Sequence, residues 1–338
     1  MKKKRVFIIA EIGTNHNGSL KTALSMIDQL YKVDIDAVKF QLANPKDVYS
    51  DDAFKAAYQK KNDKSETVLK MSQKLQISKE GHIKLKKRCD LRGITYSCSA
   101  FDLESLTFLD KKIKVPFFKI PSGEINSTDI INYISKKNKK IILSTGMATY
   151  NEIKNTLKKL KNFGNKKITL LHCISSYPVK ENNINLNIID TLKKKFGCEI
   201  GYSDHSIGSQ ACLAAVAKGA QVIEKHVTIS STQSGPDHKA SMNIKDFKKL
   251  VKGIRELEII LGSEEKKFSK SELGIKKMAR KSLVTIRSLQ KGHKIKKSDL
   301  TFKRPGTGLS PIMINQIVGK KLKKNIRENK VLKKNHLK

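Results

Sequence analysis

The chain has 338 residues, of which 38% are hydrophobic and 30% are charged. This length exceeds what one compact core usually holds, so we expect a large domain followed by a small one. The 69 basic residues outnumber the 31 acidic ones, which gives a formal charge of +38. The lysines are scattered over nearly every helix-like segment, a pattern typical of solvated helix faces, and it argues against nucleic-acid binding.

The cysteines indicate a reducing compartment. They form no CxxC pair and no zinc spacing, and several fall within apolar runs; they are Cys89, Cys98, Cys173, Cys198 and Cys212. We therefore expect free, buried thiols in a cytoplasmic protein. No apolar segment is long enough to span a membrane, so no membrane partner is expected.

Eight short apolar runs alternate with lysine-rich stretches of helical spacing. In chain order they are RVFIIAE, DAVKFQ, ITYSCS, VPFFKI, KIILST, ITLLHC, EIGYSDH and QVIEKH. A parallel strand that is buried on both faces has this continuous apolar character. Eight such strands alternating with helices predict an α/β fold, a (β/α)8 TIM barrel with its active site at the carboxyl ends of the strands.

The connections between the runs support this order. After the first run, Ser19 is a plausible N-cap for a helix whose apolar positions continue to Tyr31. About 50 residues separate the second run from the third, and insertions that long above a barrel usually shape the active site. After the eighth run, apolar residues from Phe247 to Leu257 predict a closing helix that ends at Gly262.

The pattern changes after this helix. We predict a barrel domain over residues 1–265 and a polar linker over 266–280. The short apolar pieces SLVTI, SDLTF and IVGKKL follow, broken by glycine and proline. They predict a small β-rich domain over residues 281–338.

Two histidines end neighbouring strands of the predicted barrel. His205 ends the seventh run and His226 ends the eighth. Their imidazoles could converge within the range of one divalent metal ion and leave other coordination positions open for a Lewis-acid role. The alternative is a pair of hydrogen-bonded core histidines, but two neighbouring positions on the catalytic face favour the metal.

Lysines within two of the apolar runs predict an anion-binding site. Lys39 and Lys119 lie near the ends of the second and fourth runs, where a lysine is rare unless it is paired. They could clamp a phosphate or carboxylate, or form internal salt bridges with Glu11 or Glu124. Hydroxyl groups at neighbouring strand ends could assist; they belong to Ser99, Ser122, Ser175 and Ser203. Glu124 and Glu224 are candidate acid/base groups.

Nine motifs in one order carry a family resemblance. They are IAEIGTNHNG, VKFQ, KIPSGE, ILSTGM, LLHC with SYP, GYSDHS, IEKHVT, GPDHKAS and KRPGTG. Together they resemble the sialic acid synthase family, the phosphoenolpyruvate-dependent nonulosonate synthases. The resemblance covers almost the whole chain. It implies a TIM barrel followed by a small antifreeze-like (SAF) domain that begins near Lys281 and carries KRPGTG.

The resemblance also implies roles for individual residues. His205 and His226 would hold Mn2+ or Mg2+. The contacts to phosphoenolpyruvate would come from Lys39, Lys119, Ser122, Ser203, Ser99 (a threonine in relatives) and Ser175 (an asparagine in some relatives). The contacts to the sugar would come from Glu11, Gln41, Asn62, Tyr177 and Asp237. Glu124 and Glu224, with Glu11, would be the catalytic carboxylates. Arg304 would reach the sugar's N-acyl group from the partner subunit of a domain-swapped homodimer.

The implied reaction condenses phosphoenolpyruvate with an open-chain N-acylated hexosamine and releases phosphate. The acceptor would be N-acetylmannosamine, giving N-acetylneuraminate; alternatively it would be 2,4-diacetamido-2,4,6-trideoxymannose, giving legionaminate. PSGE and GPDHKAS look less like pseudaminate synthases. A metal-dependent hydrolase on the same barrel would usually need a His-x-His pair after the first strand, where this chain has only His16 between Asn15 and Asn17. A basic nucleic-acid-binding protein is the non-catalytic alternative.

Overall fold

A computed structural model of the chain describes residues 5–161 and 167–338. They belong to two compact units, Met1–Gly262 and Ser263–Lys338. Within the described part of the first unit, eight parallel strands pair in chain order, and pairing of the first with the eighth closes a barrel. These strands are β1 Phe7–Gly13, β2 Ala37–Leu42, β3 Thr95–Ala100, β4 Phe117–Ile120, β5 Lys140–Ser144, β6 Ile168–Cys173, β7 Glu199–Asp204 and β8 Val222–Thr228. The predicted (β/α)8 barrel is therefore confirmed.

Helices follow the strands, and most of them cover the outside of the barrel. They are α1 Leu20–Leu30, α2 Pro45–Val48, α3 Ala57–Asn62, α4 Val68–Leu75, α5 Lys79–Arg92, α6 Leu103–Phe108, α7 Thr128–Ser135, α8 Tyr150–Lys161, α9 Ile188–Phe196, α10 Gln210–Ala217 and α11 Ile244–Ile260. The short helices α2 to α4, which belong to the insertion between β2 and β3, instead line a cavity at the strand ends. A two-residue strand, β9 (Met242–Asn243), pairs with β8 just before α11. The predicted N-cap is present, because the Ser19 hydroxyl accepts the Thr22 N–H at 3.2 Å.

The inside of the barrel has an apolar layer beneath a polar one. The apolar layer is one buried cluster made of Ile9, Ala37, Phe117, Ile142, Leu171 and Val222. Because side chains alternate along a strand, the residue two positions later points into the same interior. Those residues are Glu11, Lys39, Lys119, Ser144, Cys173 and Glu224, and all of them line one cavity. Alternation of side chains along six of the eight strands therefore places a charged cavity floor above a packed apolar core.

The second unit has its own small core, which includes Leu283, Ile295, Leu322 and Leu332. Its strands β10 (Ser282–Thr285) and β11 (Leu300–Lys303) pair antiparallel, where SLVTI and SDLTF predicted strands. The third piece, IVGKKL, instead begins at the end of helix α13 (Ile314–Ile317) and continues into isolated bridges.

The stretch predicted as a linker contains a helix, α12 (Lys270–Ala279). Its start is fixed by a capping box: the Ser269 hydroxyl accepts the Glu272 N–H at 3.2 Å, and the Glu272 carboxylate accepts the Ser269 N–H at 2.6 Å. The capping box therefore starts a helix in a stretch whose polar composition had predicted a linker.

Two expectations about the chain as a whole can be compared with the structure. All five cysteines are free thiols, as predicted. Among residues 5–161 and 167–338, no helix has both the length and the apolar character that crossing a bilayer requires.

Candidate active site

One cavity of about 380 Å³ opens at the carboxyl ends of the barrel strands. Most of the predicted site residues line it. These are Glu11, Lys39, Gln41, Ser99, Lys119, Ser122, Ser175, Tyr177, Ser203, His205, Glu224, His226 and Asp237. Residues distant in the chain therefore share one enclosure, as the strand-end argument predicted.

The floor of the cavity is a buried charge cluster. Lys39 Nζ lies 2.9 Å from Glu11 Oε2 and 3.7 Å from Glu224 Oε2. Lys119 Nζ lies 3.7 Å from the other oxygen of Glu224, Oε1. Glu224 thus sits between two ammonium groups, and the internal salt bridge that the sequence allowed between Lys39 and Glu11 is present.

Burial and mutual attraction set the charges of this cluster. Burial raises the pKa of Glu11 to about 7, against the opposing effect of Lys39. Burial also disfavours the charge of Glu224, but the two lysines outweigh it and hold the Glu224 pKa below its usual value. Burial lowers the pKa of Lys119, whereas the carboxylates of Glu11 and Glu224 overcome burial and raise the pKa of Lys39. The floor therefore keeps an ionised Glu224 beside a charged Lys39.

Hydroxyl groups surround the two ammonium groups. Lys39 donates to Ser99 Oγ at 3.2 Å, and Lys119 donates to Ser144 Oγ at 2.7 Å. Ser203 donates to Glu224 Oε1 at 3.0 Å. Such a combination of ammonium and hydroxyl donors suits the oxygens of a phosphate or carboxylate.

Next to this cluster, side chains pack closely against the backbone of Gly146. Its N–H donates to Ser122 Oγ at 3.0 Å. A Cβ atom at this position would lie 2.4 Å from Ser175 Oγ and 2.9 Å from Cys173 Sγ. Only glycine fits, so the serine hydroxyls of Ser122 and Ser175 lie directly against this backbone.

The two imidazoles meet as predicted. The ring centroids of His205 and His226 are 5.4 Å apart, and the Tyr177 ring lies 4.1 Å from that of His205. His205 Nδ1 is within 2.7 Å of the Ile174 carbonyl oxygen, while His226 Nδ1 is buried without a hydrogen-bond partner. Burial lowers the pKa of both rings, which keeps them neutral. Neutral imidazoles with an unpartnered nitrogen are suited to bind a divalent metal ion.

This pair is a two-histidine arrangement and not a complete metal cage. Within the described ranges, no group of three or more His, Cys, Asp or Glu side chains is arranged to hold a metal ion. A cation on His205 and His226 would thus take its remaining ligands from water and substrate, as the sequence argument expected.

Asp237 enters the cavity from the loop after β8. Thr14 Oγ1 donates to its Oδ2 at 3.3 Å, and burial raises the pKa of Asp237 to about 6. Ser241 donates to the Asp237 carbonyl oxygen at 2.7 Å and accepts from Asn15 Nδ2 at 2.8 Å. The loop after β1 thus holds the loop after β8 in place.

Comparison with known proteins assigns the family. Residues 26–266 match the NeuB family model, and residues 280–338 match the SAF domain model. The chain belongs to the NeuB family. N,N'-diacetyllegionaminic acid synthase of Campylobacter jejuni is 42% identical over 98% of this chain and 99% of its own length. The enzyme of the same name from Legionella pneumophila is 39% identical over 98% and 94%.

Other members of the NeuB family are also similar. A solved structure of N-acetylneuraminic acid (sialic acid) synthetase from Leptospira borgpetersenii is 34% identical, covers 80% of this chain and 90% of its own, and has a TM-score of 0.73. Pseudaminic acid synthase of C. jejuni is 34% identical over 98% of this chain. The chain is therefore an enzyme of the sialic acid synthase type, and the resemblance read from its motifs is confirmed.

Three predicted residues of this NeuB-family chain lie away from the cavity lining. Asn62 Nδ2 donates to the Pro236 carbonyl oxygen at 3.1 Å, so Asn62 supports the loop that carries Asp237. Glu124 is half-buried in an adjoining depression and accepts a hydrogen bond from Ser127. Arg304 lies in the second unit, where its side chain is exposed.

Several further residues line the cavity beyond those predicted from the sequence. Ser144 is the last residue but one of the KIILST run, and its place near a strand end was an available signal. Tyr49, Tyr58 and Met71 come from the long insertion between β2 and β3, whose short helices carry no strand-end pattern. The prediction that this insertion shapes the active site is therefore confirmed, although it did not identify these side chains.

Proposed function

We propose that this NeuB-family enzyme condenses phosphoenolpyruvate with an open-chain N-acylated hexosamine to give a nine-carbon sugar acid and phosphate. One observation supports this most strongly. Two buried ammonium groups ringed by hydroxyls lie in the same cavity as a pair of neutral imidazoles. That cavity offers an anionic and an aldehyde substrate adjacent places, which supplies much of the rate acceleration.

Phosphoenolpyruvate binds at the charged floor in this proposal. Lys39 and Lys119 neutralise its phosphate and carboxylate. Hydroxyls from the neighbouring strand ends complete the contacts; they belong to Ser99, Ser122, Ser144, Ser175 and Ser203. Because both lysines are buried and already hydrogen-bonded to Ser99 and Ser144, little reorganisation of these groups accompanies binding.

His205 and His226 hold a divalent cation, Mn2+ or Mg2+, in this proposal. When bound there, the cation supplies Lewis-acid chemistry at an aldehyde oxygen. The neutral state of both rings, and the unpartnered Nδ1 of His226, support this assignment.

In the reaction itself, Glu224 stabilises positive charge and Glu11 accepts a proton. C3 of phosphoenolpyruvate attacks the aldehyde carbon, whose oxygen takes up a proton, and positive character develops at C2. Glu224, held ionised by two lysines, favours that charge. Water adds at C2 and loses a proton to Glu11, whose pKa of about 7 suits a general base. The tetrahedral intermediate then expels phosphate by C–O cleavage, the C2 hydroxyl transfers its proton to the departing phosphate, and the ketone remains. Glu124 remains a further candidate acid/base group.

In this proposal the sugar lies beside the imidazoles and contacts Gln41, Tyr177 and Asp237. Asn62 supports the loop that carries Asp237. N-acetylmannosamine, giving N-acetylneuraminate, is the acceptor implied first by the motifs. The names of the Campylobacter and Legionella relatives favour the second candidate, 2,4-diacetamido-2,4,6-trideoxymannose, giving legionaminate.

We further propose that the enzyme works as a cytoplasmic homodimer. Each barrel receives Arg304 from the partner subunit's SAF domain, where it binds the N-acyl group of the sugar. The exposure of Arg304 on its own unit leaves its guanidinium free for such a contact.

The test is direct. Purified enzyme with Mn2+ is incubated with phosphoenolpyruvate and each sugar, and released phosphate and product mass are measured. We expect stoichiometric phosphate and a product heavier than the sugar by one pyruvate unit. Phosphate release that does not depend on a sugar, or no release with either sugar, would contradict the proposal.

A further inference from the structure

We infer that Asn17 and His238 are positioning residues that hold Asp237 toward the sugar. This inference rests on the proposed function, in which Asp237 contacts the sugar, and it adds two residues that act through Asp237. Neither Asn17 nor His238 is among the described residues that line the cavity. Any effect that they have on the reaction therefore passes through the loop after β8, which carries Asp237.

The Asn17 side chain holds the segment 234–238 of this loop at both ends. Asn17 Nδ2 donates to the Ser234 carbonyl oxygen at 3.0 Å. Asn17 Oδ1 lies 3.2 Å from His238 Nε2. Because an amide oxygen only accepts hydrogen bonds, His238 Nε2 is the donor. One side chain from the loop after β1 thus fixes the residue three positions before Asp237 and the residue directly after it.

His238 connects Asn17 to the end of a barrel strand. The His238 side chain is fully buried. Its Nδ1 accepts a hydrogen bond from Thr228 Oγ1 at 2.7 Å, and Thr228 is the last residue of β8. Burial lowers the pKa of His238, which keeps the ring neutral, with one donor and one acceptor nitrogen. The two hydrogen bonds therefore use both nitrogens and fix the orientation of the ring.

The backbone of Gly235 packs closely against both side chains. A Cβ atom at this position would lie 2.7 Å from Asn17 Oδ1 and 2.7 Å from His238 Cδ2. Its φ of +146° is also one that residues with a side chain rarely adopt. The path of the segment before Asp237 therefore depends on the places that Asn17 and His238 occupy.

Two further side chains hold the same segment. Asn62 Nδ2 donates to the Pro236 carbonyl oxygen at 3.1 Å, and Thr14 Oγ1 donates to Asp237 Oδ2 at 3.3 Å. Loss of the Asn17 side chain should therefore shift Asp237 without releasing the whole loop. We expect weaker sugar binding, and not a loss of all activity.

The experiment measures the KM of each substrate in variants that break the bond between Asn17 and His238. The sugar is whichever of the two candidates releases phosphate. Asn17→Gly removes the side chain and keeps a residue that tolerates the φ of +51° found here. His238→Phe keeps a ring without a donor. Each variant should raise the sugar KM about three- to tenfold and change the phosphoenolpyruvate KM by less than about twofold.

Two comparison variants show whether the hydrogen bond is responsible. His238→Gln supplies an amide that can donate to Asn17 and accept from Thr228, so it should recover most of the loss in sugar binding. Asn185→Gly is the matched control, because Asn185 has a φ of +49° but is exposed and donates to the nearby Asn183 carbonyl oxygen. It should change neither KM. An unchanged circular dichroism spectrum shows that each variant is folded.

An Asp237→Ala background separates positioning from a general structural role. If Asn17 acts through Asp237, then Asp237→Ala should raise the sugar KM, and adding Asn17→Gly should raise it no further. A general structural role would raise the sugar KM by the same factor with and without Asp237.

The outcomes distinguish this inference from the proposed function. Wild-type sugar KM in both Asn17→Gly and His238→Phe, or an equal rise in both backgrounds, overturns this inference alone. An unchanged sugar KM in Asp237→Ala shows that the proposed sugar contact of Asp237 is wrong, and this inference fails with it. If neither candidate sugar releases phosphate with the wild-type enzyme, the proposed function itself fails.

Discussion

Lys225 and Asp204 form a fully buried ion pair directly behind the two imidazoles. Lys225 precedes His226 on β8, and Asp204 precedes His205 at the end of β7. Lys225 also donates to the Ser206 carbonyl oxygen at 2.8 Å, and Tyr202 donates to Asp204 at 3.0 Å. Because side chains alternate along a strand, this pair lies on the opposite face from the histidines and fixes both strand ends at once.

Breaking this pair should destabilise the barrel. Lys225→Met leaves a buried carboxylate without its cation, and we expect a loss of about 3–5 kcal/mol in the free energy of unfolding. Adding Asp204→Asn removes the stranded charge and should recover more than half of that loss. Urea unfolding followed by circular dichroism measures both. Lys252→Met, at a 79% exposed lysine of α11, is the control and should have little effect. Equal stability of Lys225→Met and wild type would contradict the argument.

Lys119 and Ser144 should contribute unequally to the binding of phosphoenolpyruvate. Lys119→Met removes a buried charge, and we expect the KM for phosphoenolpyruvate to rise about 100-fold or more. Ser144→Ala removes the hydroxyl that Lys119 contacts and should raise it about tenfold. The KM for the sugar should change little in either variant. A rise confined to the sugar KM would move the phosphoenolpyruvate site away from this floor.

If His205 and His226 hold the cation, replacing both should reduce the metal content of the enzyme. His205→Ala combined with His226→Ala should abolish stoichiometric Mn2+ binding, measured by atomic absorption after gel filtration, together with phosphate release. His336→Ala, in the second unit, should retain both. Full metal-dependent turnover in the double variant would show that the cation binds elsewhere.

The barrel was predictable because its strands are buried on both faces and carry uninterrupted apolar runs. Position within a run then placed Lys39, Lys119 and Glu224 on the interior, since the strand period fixes side-chain direction. The same rule could have found Ser144. Helix α12 was missed because its capping box lies within a charged stretch that has no apolar stripe.

The remaining differences concern residues outside regular strands. Asn62 ends α3, and its side chain makes a tertiary contact with the Pro236 carbonyl oxygen. Glu124 ends a short 3-10 turn, and its side chain accepts a local hydrogen bond from Ser127.

The length of the insertion between β2 and β3 predicted that it would shape the active site. Its sequence does not show which of its side chains line the cavity, so Val48 and Met71 could not be assigned. Position within the strands therefore identified individual residues of the cavity floor, whereas for the insertion the sequence predicted the location and not the lining residues.

Asp237 should make stability depend on pH. Its pKa is raised from 3.8 to about 6 by burial, so its contribution to stability is complete below pH 3.8 and is lost as pH rises through about 6. Asp237→Asn removes this titration. The variant's gain in unfolding free energy over wild type should therefore grow between pH 4 and 7, by up to about 3 kcal/mol, and then level off.

Unfolding at a series of pH values measures this difference. Asp190→Asn, at an exposed carboxylate paired with Lys218, is the control and should show no rise through pH 6. A difference for Asp237→Asn that stays constant from pH 4 to 8 would show that Asp237 titrates normally.

Complementation between two defective subunits can test whether each active site receives Arg304 from its own subunit or from the partner subunit. Arg304→Ala alone should raise the sugar KM and leave the phosphoenolpyruvate KM largely intact. At phosphoenolpyruvate concentrations near the wild-type KM, Lys119→Met alone should be almost inactive. If Arg304 reaches the neighbouring barrel, a mixed dimer contains one site with an intact barrel and an intact arginine. Unfolding and refolding the two variants together should then restore wild-type sugar KM at part of the wild-type rate. If each subunit uses its own Arg304, no intact site forms, and the mixture should show only the raised sugar KM of the Arg304→Ala enzyme.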